Sequence, residues 1–160
     1  MTLLVVDGGV DGFSSTTTTG SAILANGTTV FTIGGGPIRL TDLVSYCTTG
    51  GDAAASTLQW SADGTVGAAT TFTGASSSLT NSIAGAVVYC NFTALTTAPV
   101  ITQTAGVALA GPTTSTGGGI YVPAGIITMV IGGADTTTGL WKHYLRWIPL
   151  TRGVTVTAAF

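Results

Sequence analysis

The sequence contains little charge, and glutamate is absent from it. Charged residues make up 6% of the 160 residues, against about 25% in an ordinary globular domain. Four cations and six aspartates give the chain a net charge of −2. Because a surface that binds nucleic acid needs clustered Lys and Arg to neutralise phosphates, we expect no nucleic-acid partner.

Long apolar runs are also missing. Gly, Thr, Ser or Pro interrupts every apolar run well before the roughly 18 residues that a membrane span requires, so we expect no membrane partner. The apolar start Met1–Val6 ends at Asp7 and has no basic residue before it, which predicts no secretory signal. Without such a signal, the two cysteines, Cys47 and Cys90, are interpreted as buried free thiols rather than as a disulfide.

The residues that are abundant favour strands and turns. About a fifth of the chain is threonine, 24 residues are glycine, and the hydrophobic fraction is 45%. Residues that favour surface helices, such as Glu, Lys and Arg, are scarce, whereas Thr, Val, Ile and aromatic residues favour strands. The composition therefore predicts an all-β protein, an antiparallel β-sandwich or jelly-roll-like single domain.

The pattern along the chain divides it into an arm and a body. Residues 1–26 have little periodic apolar content and predict an extended N-terminal arm, and residues 27–160 predict the β-sandwich domain. A bulge near Asp42–Leu43 would reconcile the imperfect alternation of the second strand. In the last strand, Trp141, His143, Leu145 and Trp147 share one face. Candidate strands are 27–33, 38–47, 57–61, 86–92, 100–103, 119–122, 125–131 and 140–150.

Candidate catalytic groups are few. His143 is the only histidine, and its strand context favours a packed or interface residue over a catalytic base. There is no G-x-S-x-G motif, and most aspartates lie in turn-like contexts, although a glycosidase carboxylate pair stays possible in principle. The chain has no CxxC motif, and Asp7–Gly12 lacks the ligands of a calcium loop. We therefore expect no catalytic, cofactor-binding or metal site.

Three further features bear on function. Trp60, Trp141 and Trp147 could stack on sugars, although core packing is the simpler interpretation. Threonine pairs recur at irregular intervals, which argues against an ice-binding solenoid. No charged residue occurs between Asp63 and Asp135. Because a free monomer normally carries mixed surface charge, this stretch favours a protein that is covered by partners in an assembly.

Two segments carry a family resemblance. In Val30–Val44 a strand leads into Gly34-Gly35-Gly36-Pro37 and then into a long apolar strand. Near the C-terminus, a V-P-A-G turn at 122–125 is followed by a strand that ends in Trp147-Ile148-Pro149-Leu150. Together these matches cover residues 28–47 and 119–160. They resemble the small all-β capsid decoration, or cement, proteins of tailed bacteriophages.

The resemblance implies a structural virion protein with no enzymatic activity and no cofactor. It would bind the outer surface of a phage capsid after synthesis in the host cytoplasm, and it would bridge neighbouring major capsid subunits. Its partners would be the major capsid protein and copies of itself, as a dimer or trimer. Alternatives are a head fibre or tail-associated β-domain, and a receptor- or glycan-binding module.

The scarcity of charge also predicts how such a protein would attach. We expect its contacts to be mainly apolar and backbone-mediated, so that salt has little effect on them. If salt released the protein steeply, the residues responsible would be the four cations, Arg39, Lys142, Arg146 and Arg152.

Overall fold

A computed structural model describes residues 14–51, 53–90, 92, 100–102 and 119–160. These residues form strands and turns, and none of them belongs to a helix long and apolar enough to cross a membrane. The strands are β1 (Ser15–Thr18), β2 (Thr29–Gly34), β3 (Ile38–Thr49), β4 (Ser56–Gly64), β5 (Thr70–Thr71), β6 (Val87–Tyr89), β7 (Val100–Thr102), β8 (Ile120–Val122), β9 (Gly125–Gly133), β10 (Leu140–Pro149) and β11 (Thr155–Ala158). Every predicted strand occurs, with its ends displaced by three residues or fewer; β1, β5 and β11 were not predicted.

The strands form two antiparallel sheets packed face to face. The six-stranded front sheet has the order β1-β10-β3-β6-β7, with β8 also paired to β3. The five-stranded back sheet has the order β11-β2-β9-β4-β5. Each sheet buries one face against the other, which is the general architecture of a β-sandwich. The prediction of an all-β, antiparallel sandwich is confirmed.

The longest strand pairing, between β3 and β10, contains the predicted bulge. Arg146 lies opposite Asp42, but the next residue, Trp147, lies opposite Leu40, so Thr41 is the extra residue. On β3 the buried positions change from even numbers (Ile38, Leu40) to odd numbers (Leu43, Ser45, Cys47) at this point. The bulge thus lets both halves of β3 direct apolar side chains inward.

The core lies between the sheets and is built from large side chains. The two-residue period of β10 directs Trp141, His143, Leu145 and Trp147 inward, and all four are buried, as predicted. From the back sheet, Trp60 on β4 and Met129 on β9 are opposite neighbours in the register, and both are fully buried. Further large core residues include Phe31, Ile38, Leu40, Leu58 and Ile127.

The N-terminal boundary of the domain differs from the prediction. Residues Ser15–Thr18 pair with β10 at the edge of the front sheet, and Ala22 forms a bridge with Trp141. Leu24 is fully buried in the core. The proposed arm therefore belongs to the body from residue 14 onward, and the predicted boundary at residue 27 is wrong there. The remainder of that predicted arm, residues 1–13, lies outside the described residues.

A tight turn joins β8 to β9 in the V-P-A-G segment. Gly125 has φ 149° and lies opposite Gly64 on β4. A Cβ atom at this position would collide with the backbone carbonyl of Asp63. Glycine is therefore required here by both the backbone conformation and the close approach of the neighbouring strand.

Candidate functional site

His143, the only histidine, is enclosed in the core. Its side chain is 0% exposed, and its Nδ1 lies 2.7 Å from Oγ of Ser45. The backbone N–H of His143 donates to Oγ1 of Thr19, and the ring packs edge-on against Phe160. Nε2 has no hydrogen-bond partner among the described residues. Burial lowers the pKa of His143 to about 3, so the ring is neutral near pH 7. The packed interpretation is confirmed for this residue.

The two cysteines are free and buried, as the sequence predicted. Burial raises the pKa of the Cys47 thiol, and a backbone hydrogen bond with Thr49 lowers that pKa by a smaller amount. Burial alone raises the pKa of Cys90 further. Both are therefore neutral thiols near pH 7, and a neutral thiol is a poor nucleophile. Within the described residues, no group of three or more His, Cys, Asp or Glu side chains could hold a metal ion.

The three tryptophans are core residues and do not offer sugar-stacking surfaces. Trp60, Trp141 and Trp147 are 0%, 1% and 5% exposed. Trp147 Nε1 donates to Oγ1 of Thr17, which ties β10 to the edge strand β1. A ring that stacks on a sugar needs an exposed face, so core packing is confirmed for all three.

The outward side of the front sheet collects side chains that are distant in sequence. Opposite residues in an antiparallel pair share a face, so the register shows which side chains lie together. Lys142 lies opposite Tyr46, and Tyr144 lies opposite Val44. On the other edge of β3, Arg39 lies opposite Tyr121. We call this surface the front face; it comprises Arg39, Asp42, Val44, Tyr46, Tyr121, Lys142, Tyr144, Arg146 and Ile148.

Tyrosine and cationic side chains are concentrated on the front face. It holds three of the four tyrosines and three of the four cations of the chain. Tyr121 is 72% exposed and Tyr46 is 39% exposed. The fourth tyrosine, Tyr89, also has an outward position opposite Val44, but its side chain is buried. Tyrosine and arginine are enriched in protein interfaces relative to the rest of a protein surface.

The outward side of the back sheet is chemically different. Its strands carry no lysine or arginine, and Asp63 is their only charged residue. Threonine occupies many outward positions; for example, Thr32 lies opposite Thr157. The two faces of the sandwich are therefore distinct, and the chemistry of a protein interface is found on the front face.

A groove separates the edges of the two sheets beside β1. It has a volume of about 620 Å³ and lies between Ser15–Thr17 and Gly153–Thr157, with Trp147 also lining it. A hydrogen bond from Oγ1 of Thr17 to the carbonyl of Val156 crosses between the two edges. Its lining is rich in hydroxyl groups and contains no charged residue.

A smaller apolar groove lies beside the front face, between β8 and the segment that joins β4 to β5. It has a volume of about 190 Å³ and is lined by residues that include Val66, Phe72, Ile120 and Pro123. Tyr121 belongs both to this groove and to the front face. Val66 is 91% exposed, so this end of the front face continues into an exposed apolar surface.

The tyrosines of the front face were not among the residues predicted to make contacts. Those residues were Arg39, Lys142, Arg146 and Arg152, of which the structure brings the first three onto one face. Arg152 lies in the turn between β10 and β11. The alternation along the strands carried a signal for them: Tyr46 and Tyr144 each lie between two buried residues, and Tyr121 lies between the half-buried Ile120 and the buried Val122.

The fold and the front face define an all-β sandwich with one interface-like surface. We find no match to a protein-family model, to a curated protein or to a solved structure.

Proposed function

We propose that the chain is a structural virion protein that binds the outer surface of a tailed-phage capsid and bridges neighbouring major capsid subunits. The observation that carries this proposal is the front face, where tyrosines and cations are collected on a rigid sheet. The sequence resemblance over residues 28–47 and 119–160 supports the assignment to a virion. Its partners are the major capsid protein and further copies of the chain, and its role is structural rather than catalytic.

The chemistry of the front face suits attachment to another protein. Tyrosine combines a large apolar ring with a hydroxyl group and loses little conformational entropy when it is bound. Tyr46 is on β3, which has paired strands on both of its edges, so its backbone is held in place. A side chain on such a strand is preorganised for binding, because little further ordering is needed.

A reconstitution experiment tests the proposal. Particles of the source phage that lack this protein are mixed with the purified chain, and bound protein is measured by co-sedimentation. We expect Tyr46→Ala to weaken binding about 30-fold, the loss of about 2 kcal/mol that is typical of a central interface aromatic. Thr32→Ala, an exposed position on the back face, is the matched control and is expected to bind like the parent.

Two outcomes would contradict the proposal. If the parent protein does not sediment with particles, the capsid is not its partner. If Tyr46→Ala and Thr32→Ala both bind like the parent, the front face is not the attachment surface. Cryo-electron microscopy of intact particles would then separate the alternatives, because a head fibre or tail component would appear away from the capsid surface.

A further inference from the structure

We infer that the apolar groove beside the front face receives one apolar side chain, aromatic or branched aliphatic, that projects from the major capsid protein. The inference rests on the proposed function and adds to it the chemistry of one contact. Its starting point is where the exposed apolar side chains lie.

The two most exposed large apolar side chains both line this groove. Among the described residues, Val66 is 91% exposed and Tyr121 is 72% exposed, whereas the other exposed large apolar side chains reach 39% at most. Val66 lies in the segment that joins β4 to β5, where glycine and small polar residues are the usual choice for a turn. Exposed apolar side chains that gather at one groove, rather than occurring singly, indicate a binding site.

The groove is held in shape by the fold. Phe72 and Val122 are buried and form its floor. The backbone N–H of Thr65 donates to the carbonyl of Ala124 at 2.9 Å, which ties the segment after β4 to the turn between β8 and β9. Because the two sides of the groove are joined in this way, little further ordering is needed when a side chain enters it.

The size and polarity of the groove determine what it can hold. Its volume is about 190 Å³, and an apolar cavity of about 150 Å³ is large enough to bind benzene. The groove therefore has space for one side chain such as that of phenylalanine or leucine. None of the described residues that line it is charged, and among them only Thr70 and Tyr121 carry a hydroxyl group. A charged side chain would lose its hydration there without gaining a partner.

Continuity with the front face identifies the capsid as the source of this side chain. Tyr121 lies opposite Arg39 on the front face and also lines the groove. A protein that covers the front face and contacts Tyr121 therefore also reaches the groove. Binding energy in interfaces is concentrated where an anchor side chain fills a pocket surrounded by other contacts.

A second copy of the chain is a poorer occupant, because an anchor side chain has to project from its own surface. Outside the groove, each exposed large apolar side chain of the described residues is more than 60% covered by its own chain. These residues are Ile23, Tyr46, Ile83, Leu150 and Phe160. A side chain covered to this extent cannot fill a groove in another molecule.

Substitutions in the groove test the inference by co-sedimentation with particles that lack the protein. Val66→Ser should bind about tenfold more weakly than the parent, whereas Val66→Ile keeps an apolar side chain and should bind like the parent. Ala68→Phe fills the groove with a ring of this chain and should also weaken binding about tenfold or more. Thr65→Ala is the matched control, because Thr65 is exposed beside Val66 but does not line the groove.

Cross-linking identifies the occupant. Val66→Cys is labelled with a benzophenone group, bound to particles and irradiated, and the cross-linked peptides are identified by mass spectrometry. The parent, in which both cysteines of the described core are buried, is labelled in the same way as the control. We expect a peptide of the major capsid protein that is joined at or next to an apolar residue. A peptide from a second copy, or from residues 1–13 or 103–118 of this chain, would overturn the inference.

The outcomes separate this inference from the proposed function. If Val66→Ser and Ala68→Phe bind like the parent while Tyr46→Ala binds weakly, the front face attaches the protein but the groove receives no anchor. If Val66→Ile loses as much affinity as Val66→Ser, the contact is not apolar and the inference is wrong. Failure of the parent to bind particles overturns the proposed function together with the inference. Thermal melting of each variant shows whether a loss of binding comes from a loss of folding.

Discussion

Protonation of His143 should make the stability of this protein depend on pH in a defined window. The ring is fully buried and its Nε2 has no hydrogen-bond partner among the described residues, so the charged form is strongly disfavoured in the folded state. Its pKa is about 3 when folded, against about 6.5 in an unfolded chain. Between these values the unfolded state binds the proton and the folded state does not, so stability falls as the pH falls.

Over most of this pH window, the loss of unfolding free energy is set by protonation of His143 in the unfolded state. At pH 5 the folded ring is still neutral, whereas the unfolded ring lies about 1.5 pH units below its pKa. Lowering the pH from 7.5 to 5 should therefore remove about 2 kcal/mol of unfolding free energy through His143. This loss does not depend on the exact pKa of His143 in the folded state, provided that this pKa lies well below 5.

Urea denaturation at a series of pH values measures this contribution. The parent and His143→Gln are compared between pH 7.5 and 5, with the slope against urea checked for constancy at each pH. We expect the parent to lose about 2 kcal/mol more than the variant, whatever their difference at pH 7.5. Ser45→Ala is the control, because it keeps the buried imidazole and should keep the pH dependence. If the parent and His143→Gln lose equal stability, His143 is not buried in its neutral form.

Three further comparisons of stability test the fold, each by chemical denaturation. Leu24→Ala should lower the free energy of unfolding by about 2–5 kcal/mol because Leu24 is fully buried. Ile23→Ala should lower it much less because Ile23 is 39% exposed. Equally small losses for the two variants would contradict the burial of Leu24 in the core. Trp147→Ala should cost about 3–5 kcal/mol, and a variant as stable as the parent would contradict the burial of that ring. Gly125→Ala should destabilise the protein more than Gly27→Ala. Both glycines have positive φ, but only Gly125 faces the backbone carbonyl of a neighbouring strand. The reverse order of stability would contradict the geometry of the turn.

The inward-facing residues of the front sheet could be predicted because a strand that buries one face has core side chains at every second position of its sequence. Along β10, apolar residues and His143 occupy every second position, and all of them are buried. The shift in phase on β3 was visible for the same reason, since Leu40 and Leu43 cannot both face inward on a regular strand. A strand that buries one face against a core thus encodes both its conformation and its irregularities.

The N-terminal edge strand could not be predicted in this way. Residues Ser15–Thr18 hold their place through backbone pairing with β10, and their side chains are small hydroxyls on both faces. A period of apolar residues arises only where one face packs into a core, so an edge strand beside a hydroxyl-lined groove has none. Leu24 is the only buried apolar residue among residues 14–26, and one residue cannot establish a period.

The front face depends on the bulge, which links the local sequence to the proposed function. Arg39 and Tyr46 are seven positions apart, so on a regular strand they would point to opposite sides of the sheet. The extra residue at Thr41 reverses the phase, and both side chains therefore face outward. Because β10 is regular from Trp141 to Arg146, it places Lys142 and Arg146 on this same side. The irregularity that keeps apolar residues inside thus also assembles the cations and tyrosines that we propose contact the capsid.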